Sequence, residues 1–185
     1  MDILEQLKQY RPCNQQESTD RDEMLRRLEQ EDDLFSRGHL SGHFTASAWV
    51  VSPDRRQVLM AHHDLYDSWA WLGGHADGQQ DLLAVALREV REESGLTEVR
   101  PVSPEIFSLE ILPVSGHWKK GCYIPSHLHL NVTYLLEADP TAPLRHSPGE
   151  NSAVAWFTPE DAVAVSSEPW FQEYIYTKLI EKPVE

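Results

Sequence analysis

The chain is poor in cysteine, in long apolar runs and in positive charge. Cys13 and Cys122 are its only cysteines; they lie far apart and form no CxxC pair, which predicts a reduced, cytoplasmic protein. No apolar run approaches ~18 residues, so no membrane span is expected. The opening "MDILEQLKQYRP" has acidic residues where a signal peptide carries a basic region, so export is not expected either. Lys and Arg number 16 against 30 Asp and Glu, for a net charge of −14. That balance argues against unaided binding to nucleic acid or to an anionic membrane. It leaves room for a phosphorylated small molecule, provided cations come between the two sets of negative charge. Internal repeats and low-complexity segments are also missing.

What is present suits one domain with a helical appendage. The 185 residues, 41% hydrophobic and 25% charged, are enough to bury a substantial core. Residues 1–37 read as an N-terminal helical extension, and 38–185 as the main domain. In the extension, Ile3, Leu4 and Leu7 form one short apolar stripe. After the polar break "RPCNQQESTD", Met24, Leu25 and Leu28 form another, continued loosely by Phe35, with Ser18 or Thr19 as the expected N-cap. Such stripes are expected to pack on the neighbouring domain or on a second copy of the chain, as in a homodimer.

From His43 the texture changes to strands. "HFTASAWVV" is apolar and β-prone, "SPDRR" is a turn, and "QVLMAHH" is its expected hairpin partner. Trp69 to Leu72 continues extended into Gly73 and Gly74. A helix follows from about Gln80 to Ser94, burying Leu82, Leu83, Ala86, Leu87 and Val90, and Gly95 stops it. Further strands are expected at "EIFSLEILPV", "HLHLNVTYLLEA" and "AVAWFT", and a surface loop at "DPTAPLRHSPGEN". The C-terminus returns to helix in "PEDAVAV" and "EPWFQEYIYTKLIEK", the latter turning Trp170, Phe171, Tyr174, Ile175 and Leu179 inward. Strands with one central helix and others around them suggest an α/β fold, a mixed sheet between helical layers.

The central helix poses the main question. "REVREESG" sets Glu89, Glu92 and Glu93 within an arc of roughly 100° on one face. Like charges at this spacing repel by a few tenths of a kcal/mol per pair. A solvated face would account for an arbitrary acidic stretch, and Arg88 and Arg91 could neutralise part of it. Here, however, a strand ending in Gly-Gly and a further glycine turn precede the carboxylates. That combination forms a cradle for a hard divalent cation, which takes carboxylate, phosphate and water oxygens. The glycines also let a backbone carbonyl approach the same ion.

This stretch resembles the Nudix box, G-x5-E-x7-R-E-U-x-E-E-x-G-U with U aliphatic. Gly74, Arg88, Glu89, Val90, Glu92, Glu93, Gly95 and Leu96 match at the required spacings, eight of nine fixed positions. The departure is Gln80, where the family has a supporting Glu near the box arginine. Gln keeps hydrogen-bonding capacity without charge, and Asp77 or Asp81 could compensate. The resemblance implies a Nudix-type α/β/α sandwich with a mixed β-sheet. It also implies a Nudix hydrolase (pyrophosphohydrolase) that uses Mg²⁺ or Mn²⁺ to cleave a diphosphate linkage in a nucleoside diphosphate derivative or related small molecule. By transfer, Glu89, Glu92 and Glu93 bind metal, with the Gly73 carbonyl as a further ligand and Arg88 as part of the catalytic set. Glu89, or Glu150 from a downstream loop, would take the proton from the attacking water. On this reading the metal-free protein suffers the repulsion of its glutamates and the metal-bound protein does not.

Two alternatives stand beside the hydrolase. "HFTAS" and "GGH" faintly resemble segments of isopentenyl diphosphate isomerase, a Nudix-fold relative that binds metal through histidines. On that reading His43 and His75 share a second, softer cation; but the relative carries a catalytic cysteine where this chain has Gly73, and its box is degenerate. The other alternative is a non-catalytic Nudix-fold nucleotide-binding module, supported only by Gln80. Of the other histidines, His62, His63, His117 and His146 are expected at the surface or in loops. His127 and His129 alternate on one strand face, where they either line the pocket or serve structure alone.

Overall fold

A computed structural model describes residues 1–183, with 66 and 120 excepted. The N-terminal arm forms two helices, α1 (Ile3–Gln9) and α2 (Gln15–Gln30). Asp2 caps the first, and Asn14 caps the second by accepting from the Glu17 N–H at 2.9 Å. The second helix therefore starts earlier than Ser18 or Thr19, because Asn14 supplies the capping oxygen one turn upstream. That extra turn carries Glu17 into the interior.

The strands are β1 (Gly42–Val51), β2 (Val58–His63), β3 (Ser68–Ala70) and β4 (Leu72–His75) before helix α3 (Leu82–Ser94). After it come β5 (Val99–Pro101), β6 (Ser108–Val114), β7 (His117–Lys119), β8 (Cys122–Ile124), β9 (His127–Ala138) and β10 (Asn151–Phe157). Helix α4 (Pro159–Val165), a π-helical turn (Phe171–Tyr176) and α5 (Thr177–Glu181) complete the chain.

The central path of the main sheet runs β10-β2-β1-β9-β5, with β3 on β2, β4 on β1 and β6 on β9. It is mixed: β1 and β9 pair in parallel from Gly42↔Leu128 to Val51↔Glu137, and the other pairs are antiparallel. The expected hairpin between β1 and β2 is registered only at Val51↔Val58. In its middle β1 takes β4 as antiparallel neighbour, at Thr45↔His75 through Ala48↔Leu72.

Side-chain alternation feeds two cores. Phe44, Ala46, Ala48 and Val50 of β1 and Leu130, Val132, Tyr134 and Leu136 of β9 meet α3 and the N-terminal arm, including Leu7 and Met24. Trp49, Val51, Met60 and Leu135 face the other way, against Ala162, Ile175, Tyr176 and Leu179 of the C-terminal helices. The result is an α/β/α sandwich whose N-terminal helices share the first core with the sheet.

The C-terminal segment departs from expectation in part: Phe171, Ile175 and Leu179 join the second core as expected, and Trp170 and Tyr174 do not. Trp170 and Tyr174 are 41% and 48% exposed, while Ile175, Tyr176, Lys178 and Leu179 are buried. The cause is the π-helical turn, in which the Thr177 N–H bonds the Gln172 carbonyl five residues back. The wider turn shifts the helical phase, so a 3.6-residue projection turns Tyr174 inward in place of Tyr176.

Candidate active site

Helix α3 changes character along its length. Leu82, Val85, Ala86 and Val90 bury an apolar stripe, and the Asp81 carboxylate caps the start by accepting from the Ala84 N–H at 3.1 Å. Gly95 ends the helix at φ 73°, a left-handed conformation that suits glycine. Glu89 and Glu93 fall within about 60° of Ala86 around the axis, so the last turns continue the inward sector with carboxylates.

Beta strand four makes room for them. A Cβ on Gly74 would lie 2.6 Å from both Glu89 carboxylate oxygens, and one on Gly73 would meet the Ala46 carbonyl oxygen at 2.6 Å. The Gly73 N–H donates to Glu93 Oε2 at 3.0 Å, fixing that buried carboxylate. Arg88 donates to Glu89 Oε1 at 2.7 Å and to the His75 carbonyl at 3.3 Å. Glu92 is exposed at the rim. The Asn151 side-chain amide donates to the Glu93 carbonyl at 3.1 Å, which ties the start of β10 to the end of α3. The adjacent Glu150 is exposed and accepts the Ser147 hydroxyl at 3.0 Å.

Gly73, Gly74, Arg88, Glu89, Glu92, Glu93 and Glu150 line one cleft of ≈ 990 Å³. Burial, with Glu89, Glu150 and Glu92 adding their charge, pushes Glu93 up to about 8 despite the Gly73 N–H. Glu89 is also raised, first by burial and then by Glu92 and Glu150, against the pull of Arg88. Two crowded, desolvated carboxylates of this kind are a donor set that a hard divalent cation fits, because its charge reverses both effects.

Gln80 is exposed just ahead of α3, and among the described hydrogen bonds none joins it to Arg88. Asp77 is engaged by Arg37, and Asp81 is the helix cap. His63 and His117 were expected to be surface or loop residues, yet both line the cleft; His63 Nε2 lies 3.3 Å from the Trp71 carbonyl. The chain pairing brings them there, since β2 ends at the cleft and β7 rises beside it. His62 packs edge-on against Trp69, and His146 is exposed.

The polar floor of the cleft escaped the sequence reading. Thr45 and Ser47 donate to Asn131 Oδ1 at 3.0 and 2.9 Å, and the Asn131 amide donates to Glu110 Oε2 at 3.1 Å. Behind it, the buried Lys178 ammonium reaches Glu110 at 2.8 Å and Glu17 at 3.2 Å. The signal was available: polar residues recur at every second position in "FTASA" and "HLNVT". In otherwise apolar strands, that period marks one polar face.

Residues 42–179 match the NUDIX domain family. No curated protein matches the chain. Among solved structures, the E. coli dihydroneopterin triphosphate pyrophosphohydrolase aligns with TM-score 0.55 at 14% identity, over 74% of this chain and 94% of that one. A C. elegans Ap4A hydrolase aligns with TM-score 0.49 at 16% identity, over 74% and 91%. A Nudix hydrolase from M. Smegmatis gives 0.48 at 15%, over 78% and 91%. At such identities the first of these supports the fold alone. The family match spans the glycine strand, the carboxylate helix and the cleft between them, and on that match the chain belongs to the Nudix hydrolase family.

Proposed function

We propose that the chain hydrolyses a diphosphate linkage in a nucleoside diphosphate derivative or related small molecule, with Mg²⁺ or Mn²⁺. The observation that carries this reading is the seating of the Glu89 carboxylate against Gly74, beside Glu93 and Glu92, at the wall of the large cleft. Glu89, Glu92 and Glu93, with the Gly73 carbonyl, would hold the cation. When bound, it would neutralise the diphosphate and lower the pKa of a coordinated water. Arg88 orients Glu89 through its 2.7 Å hydrogen bond. The Gly73 N–H holds one Glu93 oxygen and leaves the other for a ligand. Glu150 or Glu89 accepts the proton of the attacking water, the former from a loop anchored by Ser147 and Asn151.

The isomerase alternative calls for a cysteine at the glycine strand. Gly73 stands there, and Cys13 and Cys122 are both exposed and not among the residues lining the cleft. The retained carboxylates likewise favour catalysis over a binding module.

The test is a panel of nucleotide sugars, dinucleoside polyphosphates, ADP-ribose and oxidised triphosphates, assayed with Mg²⁺ and with Mn²⁺. EDTA-sensitive release of phosphate or a nucleoside monophosphate is expected, and Glu92→Gln and Glu93→Gln should each lower turnover by orders of magnitude. Near wild-type rates in both variants on the best substrate would overturn the assignment.

A further inference from the structure

Four imidazoles converge at one end of the cleft. His43 stands on β1, opposite His129 of β9, while His75 of β4 lies on the other flank. Ring centroids are 5.2 Å apart for His43–His75 and for His43–His129, and 4.8 Å for His75–His129. His127 stacks on His43 at 5.1 Å. One ring nitrogen from each of His43, His75 and His129 lies within 4.8 Å of the other two. The rings border a smaller cavity of ≈ 200 Å³, and His75 and His129 also line the large cleft.

The hydrogen bonds leave this cluster with acceptors in excess. The His43 Nδ1 faces the His39 carbonyl at 3.3 Å, and the His127 Nδ1 faces the Pro125 carbonyl at 2.9 Å. A carbonyl can only accept, so both Nδ1 atoms carry the proton and each neutral ring keeps Nε2 as its acceptor. His43 is 4% exposed, and its Nε2 has no hydrogen-bond partner among the described residues. Leaving such a buried acceptor unsatisfied is unfavourable. The His127 Nε2 accepts from the His129 Nε2–H at 3.2 Å, which leaves the His129 Nδ1 as that ring's acceptor.

We infer that His43, His75 and His129 form a second metal site, for a nitrogen-preferring divalent ion of the zinc type, with an open position facing the cavity. Imidazole donors select zinc, cobalt, nickel or ferrous ions over magnesium, so the site is chemically distinct from the carboxylate stripe. A carbonyl holding the second ring nitrogen, as at His43, is the arrangement that orients a histidine ligand. Burial first, then the neighbouring rings, holds His129 down to about 2, and burial lowers His43 as well. Both are thus in the neutral form that coordination requires. His127 flanks the set and fills the cavity wall beside it.

Chelator-stripped protein titrated with Zn²⁺ and with Co²⁺ tests the site without reference to activity. Wild type should take up one tight equivalent of Zn²⁺, resistant to a thousandfold excess of Mg²⁺, and Co²⁺ in its place should give visible absorption bands that Zn²⁺ abolishes. The combined Glu89→Gln, Glu92→Gln, Glu93→Gln protein should keep that equivalent, which separates it from the carboxylate site. His129→Asn and His75→Asn, each checked for folding by circular dichroism, should weaken Zn²⁺ at least 100-fold. Unchanged Zn²⁺ binding in folded His75→Asn, or loss of the equivalent in the triple glutamine protein alone, would overturn the inference. So would a wild type that takes up no tight Zn²⁺.

Discussion

Gly74 and Glu89 occupy each other's space: a methyl group on the glycine would lie 2.6 Å from both oxygens of the carboxylate. Gly74→Ala should therefore evict Glu89 from its seat while leaving the strand paired. A displacement of this size at a reacting centre costs on the order of 100-fold in turnover. The expected readout is a lower kcat together with a higher Mg²⁺ requirement and a melting temperature within a few degrees of wild type. An unchanged Mg²⁺ activation curve would show that Glu89 does not depend on the glycine.

Metal should stabilise the fold through the same carboxylates. Saturation at ~100 times the dissociation constant adds about 2.7 kcal/mol, or roughly 5–11 °C for a chain of this size. Glu93→Gln should gain less, and equal shifts in the two proteins would sink the cradle reading.

Glu93 also sets a pH dependence in EDTA. Its folded pKa is pushed up to about 8 from an ordinary 4.5. Between those values the folded protein binds the extra proton, so stability falls as pH rises through that window. At pH 6 wild type and Glu93→Gln should therefore melt close together, because the neutral acid already avoids the repulsion. At pH 9 Glu93→Gln should melt higher. Urea denaturation at both pH values checks the sign.

The buried ions behind the cleft predict the opposite slope in acid. Burial alone would raise Glu17, but the Lys182 ammonium at 2.6 Å, the Cys13 N–H and Lys178 outweigh it and lower it to about 2. Its contribution is fully present above about pH 4.5 and is lost as pH falls through about 2. Glu17→Gln should be less stable at pH 7 and show a flatter acid limb. Lys178→Met, which strips Glu110 of its ammonium while Glu17 keeps Lys182, should cost about 3–5 kcal/mol in chemical denaturation.

Gln80→Glu should change activity only several-fold, because the exposed Gln80 makes no described hydrogen bond to Arg88. A rise from undetectable to robust turnover would instead mark Gln80 as the residue that silences the site.

By itself, the sequence determined what local rules control. Spacing placed Glu89, Glu92 and Glu93 on one helix face, Gly95 at its end and the glycine pair before it, since helical period and glycine's conformational freedom act within a few residues. The strand at "HLHLNVTYLLEA" was legible in full as β9 for the same reason. Only tertiary structure decided which distant segments meet. Pairing β1 in parallel with β9 and antiparallel with β4 set His129 and His75 on either side of His43, although these histidines are separated by tens of residues. Glu17 acquired Lys178 and Lys182 only because α2 and the end of the last helix both meet β6 and its lead-in. At the C-terminal helix the apolar pattern placed Phe171, Ile175 and Leu179, and one widened turn put Tyr176 rather than Tyr174 inward. Strand order and long-range ion pairing are global choices, made by summed burial and hydrogen bonding over the whole chain, and no local window of residues carries them.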